Sequence, residues 1–270
     1  MNFNFDINTI GNYQSQSQIA RVLTEQWVKQ NSYCPNCGND ILSQFDNNKP
    51  VADFFCKSCK QEYELKSKTG VLGNKIVDGA YTTMIKRIES DNNPNFFFLT
   101  YNSSNWSVKD FLVIPKHYFV SDLIEKRKPL SETARRAGWT GCNILLNKIP
   151  SYGRIFLIKN TIIVNKDLVI KKWKKTDFLK DISKQSKGWL LDILNCIDSV
   201  PGSIFQLDDI YKFVPALQLK YPNNNFIKDK IRQQLQILRD RGILEFISRG
   251  LYKKQIPDYD LLRAKGKRDS

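Results

Sequence analysis

Four cysteines fall in two pairs of identical internal spacing, C-P-N-C-G at 34–38 and C-K-S-C at 56–59, with 18 residues between the pairs. A C-x2-C turn aims two thiolates at one cation, and two such turns close a tetrahedron around zinc. Gly38, directly after Cys37, suits the positive backbone angle such a turn needs. Two disulfides are the alternative, but the N-terminus MNFNFDINTI lacks the basic-then-apolar pattern of a leader into an oxidising compartment. Cys34, Cys37, Cys56 and Cys59 are therefore expected to hold a structural Zn²⁺ with no open position and no catalytic role. Cys142 and Cys196 lack partners at ligand spacing and read as packed thiols.

The second cysteine pair sits between two strand-like runs. In QEYELKSK (61–68), Glu62, Glu64, Lys66 and Lys68 alternate with Tyr63, Leu65 and Ser67, the period-two pattern of a β-strand. Upstream, PVADFF (50–55) places Asp53 in a short apolar, aromatic run. A hairpin through Cys56–Cys59 would bring Asp53 near Glu64 and Lys66. Two carboxylates can hold Mg²⁺, which favours oxygen ligands and keeps several waters, and the carbonyl of Leu65 offers a further oxygen. Such an ion activates water against a phosphodiester, while a neighbouring lysine orients or deprotonates that water. The bland alternative is an exposed strand whose Glu and Lys residues pair across solvent. Glu62 shares the face of Glu64, and spacing does not choose between them.

Charge narrows the partners. The 42 Lys and Arg against 27 Asp and Glu give a net charge of +15, which favours a polyanion. No apolar run reaches the roughly 18 residues of a membrane helix, and no long basic amphipathic helix is present to lie on a bilayer. The expected location is the cytoplasm. A single histidine, His117, excludes hydrolytic mechanisms built on histidine pairs, so any such chemistry must rest on carboxylates, lysine or metal.

Elsewhere, SQSQIARVLTEQWVKQN (15–31) spaces Ile19, Val22, Leu23 and Trp27 as the core stripe of a helix. Residues 78–88 read as a second helix, with Tyr81, Ile85 and Ile88 inward and Lys86 and Arg87 outward. NFFFLTY, DFLVIP and RIFLIK read as strands, and the mixed order implies an α/β fold. Between them KPLSETARRAGWTGCN (128–143) has no periodicity. Its arginines could reach phosphates and Trp139 could stack on bases, or the indole could fold back on the core.

The run at 171–187 is polar and basic with weak periodicity, and its end, near 180–187, reads as the boundary between domains. Beyond it, GWLLDILNCIDSV and FQLDDIYKF read as short helices. NFIKDKIRQQLQILRDRG reads as a longer one, with Ile227, Ile231, Leu235 and Leu238 on its apolar face and Gly242 as the C-cap. ILEFISRGLYKK then reads as a hairpin turning at Arg249–Gly250. This is a winged-helix order, and the third helix would expose Lys228, Arg232, Gln233, Gln236 and Arg239 to DNA. Winged helices also dock proteins; the net positive charge argues against that use here.

P-V-A-D-F (50–54) followed by E-L-K (64–66) resembles the PD-(D/E)xK nuclease motif. Together with Y-C-P-N-C-G (33–38), D-G-A-Y (78–81), D-N-N-P-N-F-F-F-L-T-Y (91–101) and A-R-R-A-G-W (134–139), it resembles the DpnI-like methyl-directed restriction endonucleases, to about residue 254. The resemblance implies a type II enzyme that cuts double-stranded DNA at GATC sites containing N6-methyladenine, with Mg²⁺, to blunt ends and as a monomer. It makes Asp53 and Glu64 metal ligands and Lys66 the water-positioning base, and so chooses Glu64 over Glu62. It also implies DNA contacts from Arg135, Arg136 and Trp139. The expected organisation is a catalytic domain at 1–182, a winged helix at 183–256 and an unmatched basic tail at 257–270. A non-catalytic zinc-ribbon and winged-helix regulator is the alternative from another class; a repair or RNA-directed nuclease of the same fold is a third.

Overall fold

The most apolar run of the chain, NFFFLTY at 95–101, is buried along its whole length and forms the middle of the largest sheet. The computed structural model describes residues 1–45, 52–90 and 92–255; Pro50, Val51, Asp91 and the tail expected at 257–270 lie outside them. The seven strands of that sheet are β1 (Ser43–Gln44), β2 (Phe54–Phe55), β3 (Glu62–Thr69), β5 (Asn95–Asn102), β6 (Ser107–Ile114), β9 (Ile155–Lys159) and β10 (Ile162–Ile163), adjacent in that order. Only β3 and β5 run parallel. Their crossover holds β4 (Lys75–Ala80) and helix α2 (Tyr81–Glu89). β4 belongs to a second, antiparallel sheet of order β4-β8-β7, with β7 at Ile124–Lys126 and β8 at Gly141–Leu145.

Helix α1 (Gln16–Asn31) buries Ile19, Leu23 and Trp27 as the spacing predicts, with Thr24 and Val28 beside them, while Val22 stays half-buried. Trp27 meets Phe111 of β6 edge-on at 5.4 Å between ring centroids, so the helix is seated on the sheet by its largest side chain. Helix α3 (Lys166–Lys174) runs into the start of the basic stretch, ahead of the boundary expected near 180–187. The fully buried Trp173 makes its last turns part of the first unit's core, 6.4 Å from the Tyr63 ring. Residues Met1–Ile149 and Gly153–Lys174 form one unit of the chain; Pro150–Tyr152 and the residues from Lys175 on form the other.

The second unit contains α4 (Lys184–Ser199), β11 (Ile204–Gln206), α5 (Leu207–Tyr211), α6 (Val214–Lys220), α7 (Ile227–Asp240), β12 (Leu244–Ser248) and β13 (Leu251–Lys254). Helix α7 buries Ile227, Ile231, Leu235 and Leu238 and caps at Arg241; Gly242 follows at φ +64°, a conformation glycine adopts without strain. β12 and β13 form the hairpin around Arg249–Gly250, and β11 joins them in the order β11-β13-β12. The run FQLDDIYKF is therefore strand first and helix second: Phe205 is buried in β11, and a capping box between Gln206 and Asp209 starts α5. The whole is a helix-turn-helix with a wing. Cys142 and Cys196 are buried thiols. Among the described residues no helix is long and apolar enough to cross a membrane.

Candidate active site

Two matching turns build the cysteine cluster. Gly38 N–H donates to the Cys34 carbonyl at 2.8 Å and Lys60 N–H to that of Cys56 at 2.9 Å, and both residues take positive φ, +79° and +60°. A Cβ at Gly38 would also lie 2.8 Å from Ile170 Cδ1, so that side chain would have to shift. The four sulfurs lie within 4.8 Å of one another. Cys34 and Cys59 are 3.5 Å apart and Cys37 and Cys56 3.6 Å, near the roughly 3.8 Å between vertices of a zinc–thiolate tetrahedron. All six cysteines are free, so the disulfide alternative does not hold. Burial works against the Cys56 thiolate, yet the amides of Cys59 and Ser58 bring its pKa down to about 7. The cluster fits Zn²⁺.

The cluster closes a hairpin of β2 and β3, with Phe54 opposite Tyr63 and Phe55 opposite Glu62. Tyr63 is fully buried, its hydroxyl 3.0 Å from Cys34 Sγ. Successive side chains of a strand alternate faces, so Glu64 and Lys66 leave β3 on the side opposite Tyr63. Just before β2, Asp53 donates its N–H to the Tyr63 carbonyl at 2.9 Å, and its Oδ2 accepts from the Leu65 amide at 2.6 Å. Asp53, Glu64 and Lys66 are thereby brought to one end of one hairpin.

Lys66 Nζ lies 2.6 Å from Glu64 Oε1 and donates to Asp78 Oδ1. Glu64 Oε2 is buried with no hydrogen-bond donor among the described residues, Arg87 Nη1 standing 3.8 Å away. Burial raises the pKa of Asp53, against the pull of the Leu65 amide and Lys66; burial likewise raises that of Glu64. Burial opposes the Lys66 charge, but Glu64 and Asp78 more than offset it, and the ammonium is held charged. Two half-buried carboxylates, one with an oxygen lacking a donor among the described residues, suit a hard cation with oxygen ligands. Among the described residues, only the four cysteines already converge as a metal cluster. A cleft lined by Arg21, Glu25, Leu65, Lys66, Lys75 and Tyr101 borders the site.

Two members were not foreseen. Residues 78–80 end β4 rather than begin a helix, and α2 starts at Tyr81. Asp78 sits where the β4–β8 register slips, between Asp78 and Ala80. In α2 the core positions are Met84 and Ile88, with Tyr81 and Ile85 half-buried. Arg87, expected outward, has a side chain only 17% exposed and faces Glu64.

Arg135 and Arg136 are exposed in the loop that leads into β8. That loop is tied by Leu130 N–H to the Trp139 carbonyl and Gly138 N–H to the Leu130 carbonyl. The Trp139 indole is half-buried: it lies over Gly141, where a Cβ would be 3.0 Å from the ring, and the Arg136 guanidinium stacks on it at 5.0 Å. In the other unit Lys228, Arg232, Gln233, Gln236 and Arg239 are all exposed along α7. Arg232 pairs with Asp229 and donates to the Tyr211 hydroxyl at 2.9 Å, while Lys228 lies over the Tyr211 ring at 5.1 Å.

Residues 1–182 match the family model described as DpnI, Dam-replacing family, and residues 185–254 match that of the Dam-replacing HTH domain. These matches, over a mixed α/β unit with a four-cysteine cluster and a DNA-binding winged helix, support a restriction endonuclease. The chain belongs to the DpnI, Dam-replacing family.

Proposed function

We propose that the chain is a Mg²⁺-dependent type II endonuclease of the PD-(D/E)xK kind, cutting both DNA strands at GATC sites that carry N6-methyladenine. The observation that carries the catalytic part is the bond from the Leu65 amide to Asp53 Oδ2, which draws Asp53 to the residue between Glu64 and Lys66. Asp53, Glu64 and the Leu65 carbonyl would hold Mg²⁺. When bound, the ion would neutralise charge on the scissile phosphate and acidify a water. Lys66, held as a cation, orients the attacking water and offsets charge on the phosphate.

Adenine methylation and the GATC sequence are supported by family membership. Arg135, Arg136 and Trp139 contact DNA from the catalytic domain, 1–182, and Lys228, Arg232, Gln233, Gln236 and Arg239 from the winged helix, 183–256. Zn²⁺ on the four cysteines is structural. The enzyme acts as a monomer in the cytoplasm. Digestion in Mg²⁺ of one plasmid prepared with and without adenine methylation at GATC tests the substrate. We expect cutting of the methylated form alone; equal cutting of both would remove methyl dependence, and binding without cutting of either would make the chain a regulator.

A further inference from the structure

We propose that Asp78 is a positioning residue: its carboxylate holds the Lys66 ammonium at the reacting centre independently of Glu64. The inference rests on the catalytic reading above. Asp78 is fixed more firmly than an ordinary surface carboxylate. Its side chain is 8% exposed, and Oδ1 accepts both from Lys66 Nζ and from the Gly79 amide at 2.7 Å. Asp78 sits where the register of β4 against β8 slips, between Asp78 and Ala80, and its contact with Lys66 ties β4 to β3.

The chemistry of the cluster requires such a residue. Lys66 has three donors and no acceptor, and its two carboxylate partners are Glu64 and Asp78. Glu64 is the carboxylate proposed to take the metal, and a divalent ion on it repels a nearby ammonium. With Glu64 as its only partner, Lys66 would lose its anchor when the metal arrives. Asp78 belongs to a different strand and retains the Gly79 bond whatever Glu64 binds. Lys66 can then keep a third N–H for the water or the phosphate while its position is set from behind.

The test is Asp78→Asn, which keeps the shape and the oxygen that accepts from Gly79 but removes the charge. Three quantities are read: the single-turnover cleavage rate of a methylated duplex in Mg²⁺, affinity for that duplex in Ca²⁺, and the ¹⁵Nζ ammonium signal of Lys66, assigned with Lys66→Arg. We expect the rate to fall roughly 10- to 100-fold, as for a displaced catalytic group, with affinity and Tm unchanged and the Lys66 signal broadened. A rate within about twofold of wild type, or an intact Lys66 signal, would overturn the proposal. A rate loss matched by lowered affinity or lowered Tm would mark a merely structural residue and overturn it equally. A wild type that cuts no methylated DNA would remove the catalytic reading instead, and the Lys66 signal would still decide whether Asp78 holds the ammonium.

Discussion

The hydroxyl of Tyr63 lies 3.0 Å from the Cys34 sulfur, on the same strand that carries Glu64 on its opposite face. One residue separates the cysteine cluster from the carboxylate cluster. The cluster that closes the hairpin therefore also fixes the height of β3 against Asp53, whose N–H reaches the carbonyl of that same Tyr63. This is why charged, strand-spaced residues sit so close to a metal knuckle: the cysteine cluster and the buried Tyr63 fix one face of the hairpin while Glu64 and Lys66 occupy the other.

Removing one thiolate tests this coupling. Cys56→Ser should lose the zinc, lower Tm by roughly 10 °C and abolish cleavage, because metal binding is folding free energy in such knuckles. Zinc content and calorimetry check it; a folded, fully active, zinc-free variant would break the link between staple and site.

Tyr63→Phe isolates the hydrogen bond. A bond to a thiolate contributes about 1.5–3 kcal/mol, so Tm should drop by several degrees while the zinc stays bound. Cleavage should persist, since the hydroxyl points away from Glu64.

Burial raises the pKa of Asp53, so its charge works against folding. For a carboxylate shifted upward, the contribution is favourable while the group is protonated and is lost as pH rises from the ordinary carboxylate range through the raised value. Asp53→Asn, whose side-chain oxygen still accepts from Leu65, should therefore melt higher than wild type at neutral pH without divalent ions. The gap should shrink toward pH 4 and when Mg²⁺ is added. Melting curves at several pH values measure it directly.

Gly141→Ala probes the loop platform. Its Cβ would press on the Trp139 ring at 3.0 Å, so the indole, with the Arg136 guanidinium stacked on it, must give by a few tenths of an ångström. Affinity for methylated duplex should fall, but less than in Trp139→Ala, whose loss lies within the roughly 1–3 kcal/mol of a base–aromatic contact, while the zinc content stays unchanged.

On α7, Lys228→Ala and Arg232→Ala should weaken binding to all duplexes alike and flatten the salt dependence by about one unit each, as for lost phosphate contacts. Salt titrations of affinity would show it; a change in sequence preference alone would contradict it.

Signals of fixed spacing were legible in the chain: the cysteine turns, the apolar face of α7 and the alternation of β3 all repeat over enough residues to fix their geometry. Short elements were not. β11 is three residues long, and its helix begins at the next residue, so FQLDDIYKF carries the helical pattern throughout. Asp78 and Gly79 are poor strand formers ahead of a helical run, which hid the end of β4. Helical period alone puts Arg87 outward, because it does not say that a carboxylate waits on the inward side. The buried Trp173 lay in a basic stretch where one aromatic makes no stripe. The partners of Lys66 come from different elements, and only the fold brings Asp78 to it.

The most direct measurement is single-turnover cleavage of a methylated duplex in Mg²⁺ by wild type and Asp53→Ala, with affinity measured in Ca²⁺ and zinc content determined alongside. The account predicts a loss of roughly 10³-fold or more in cleavage with binding and zinc retained. Cleavage by Asp53→Ala at the wild-type rate would contradict it, and the hairpin would be a zinc-stapled edge with no part in the chemistry.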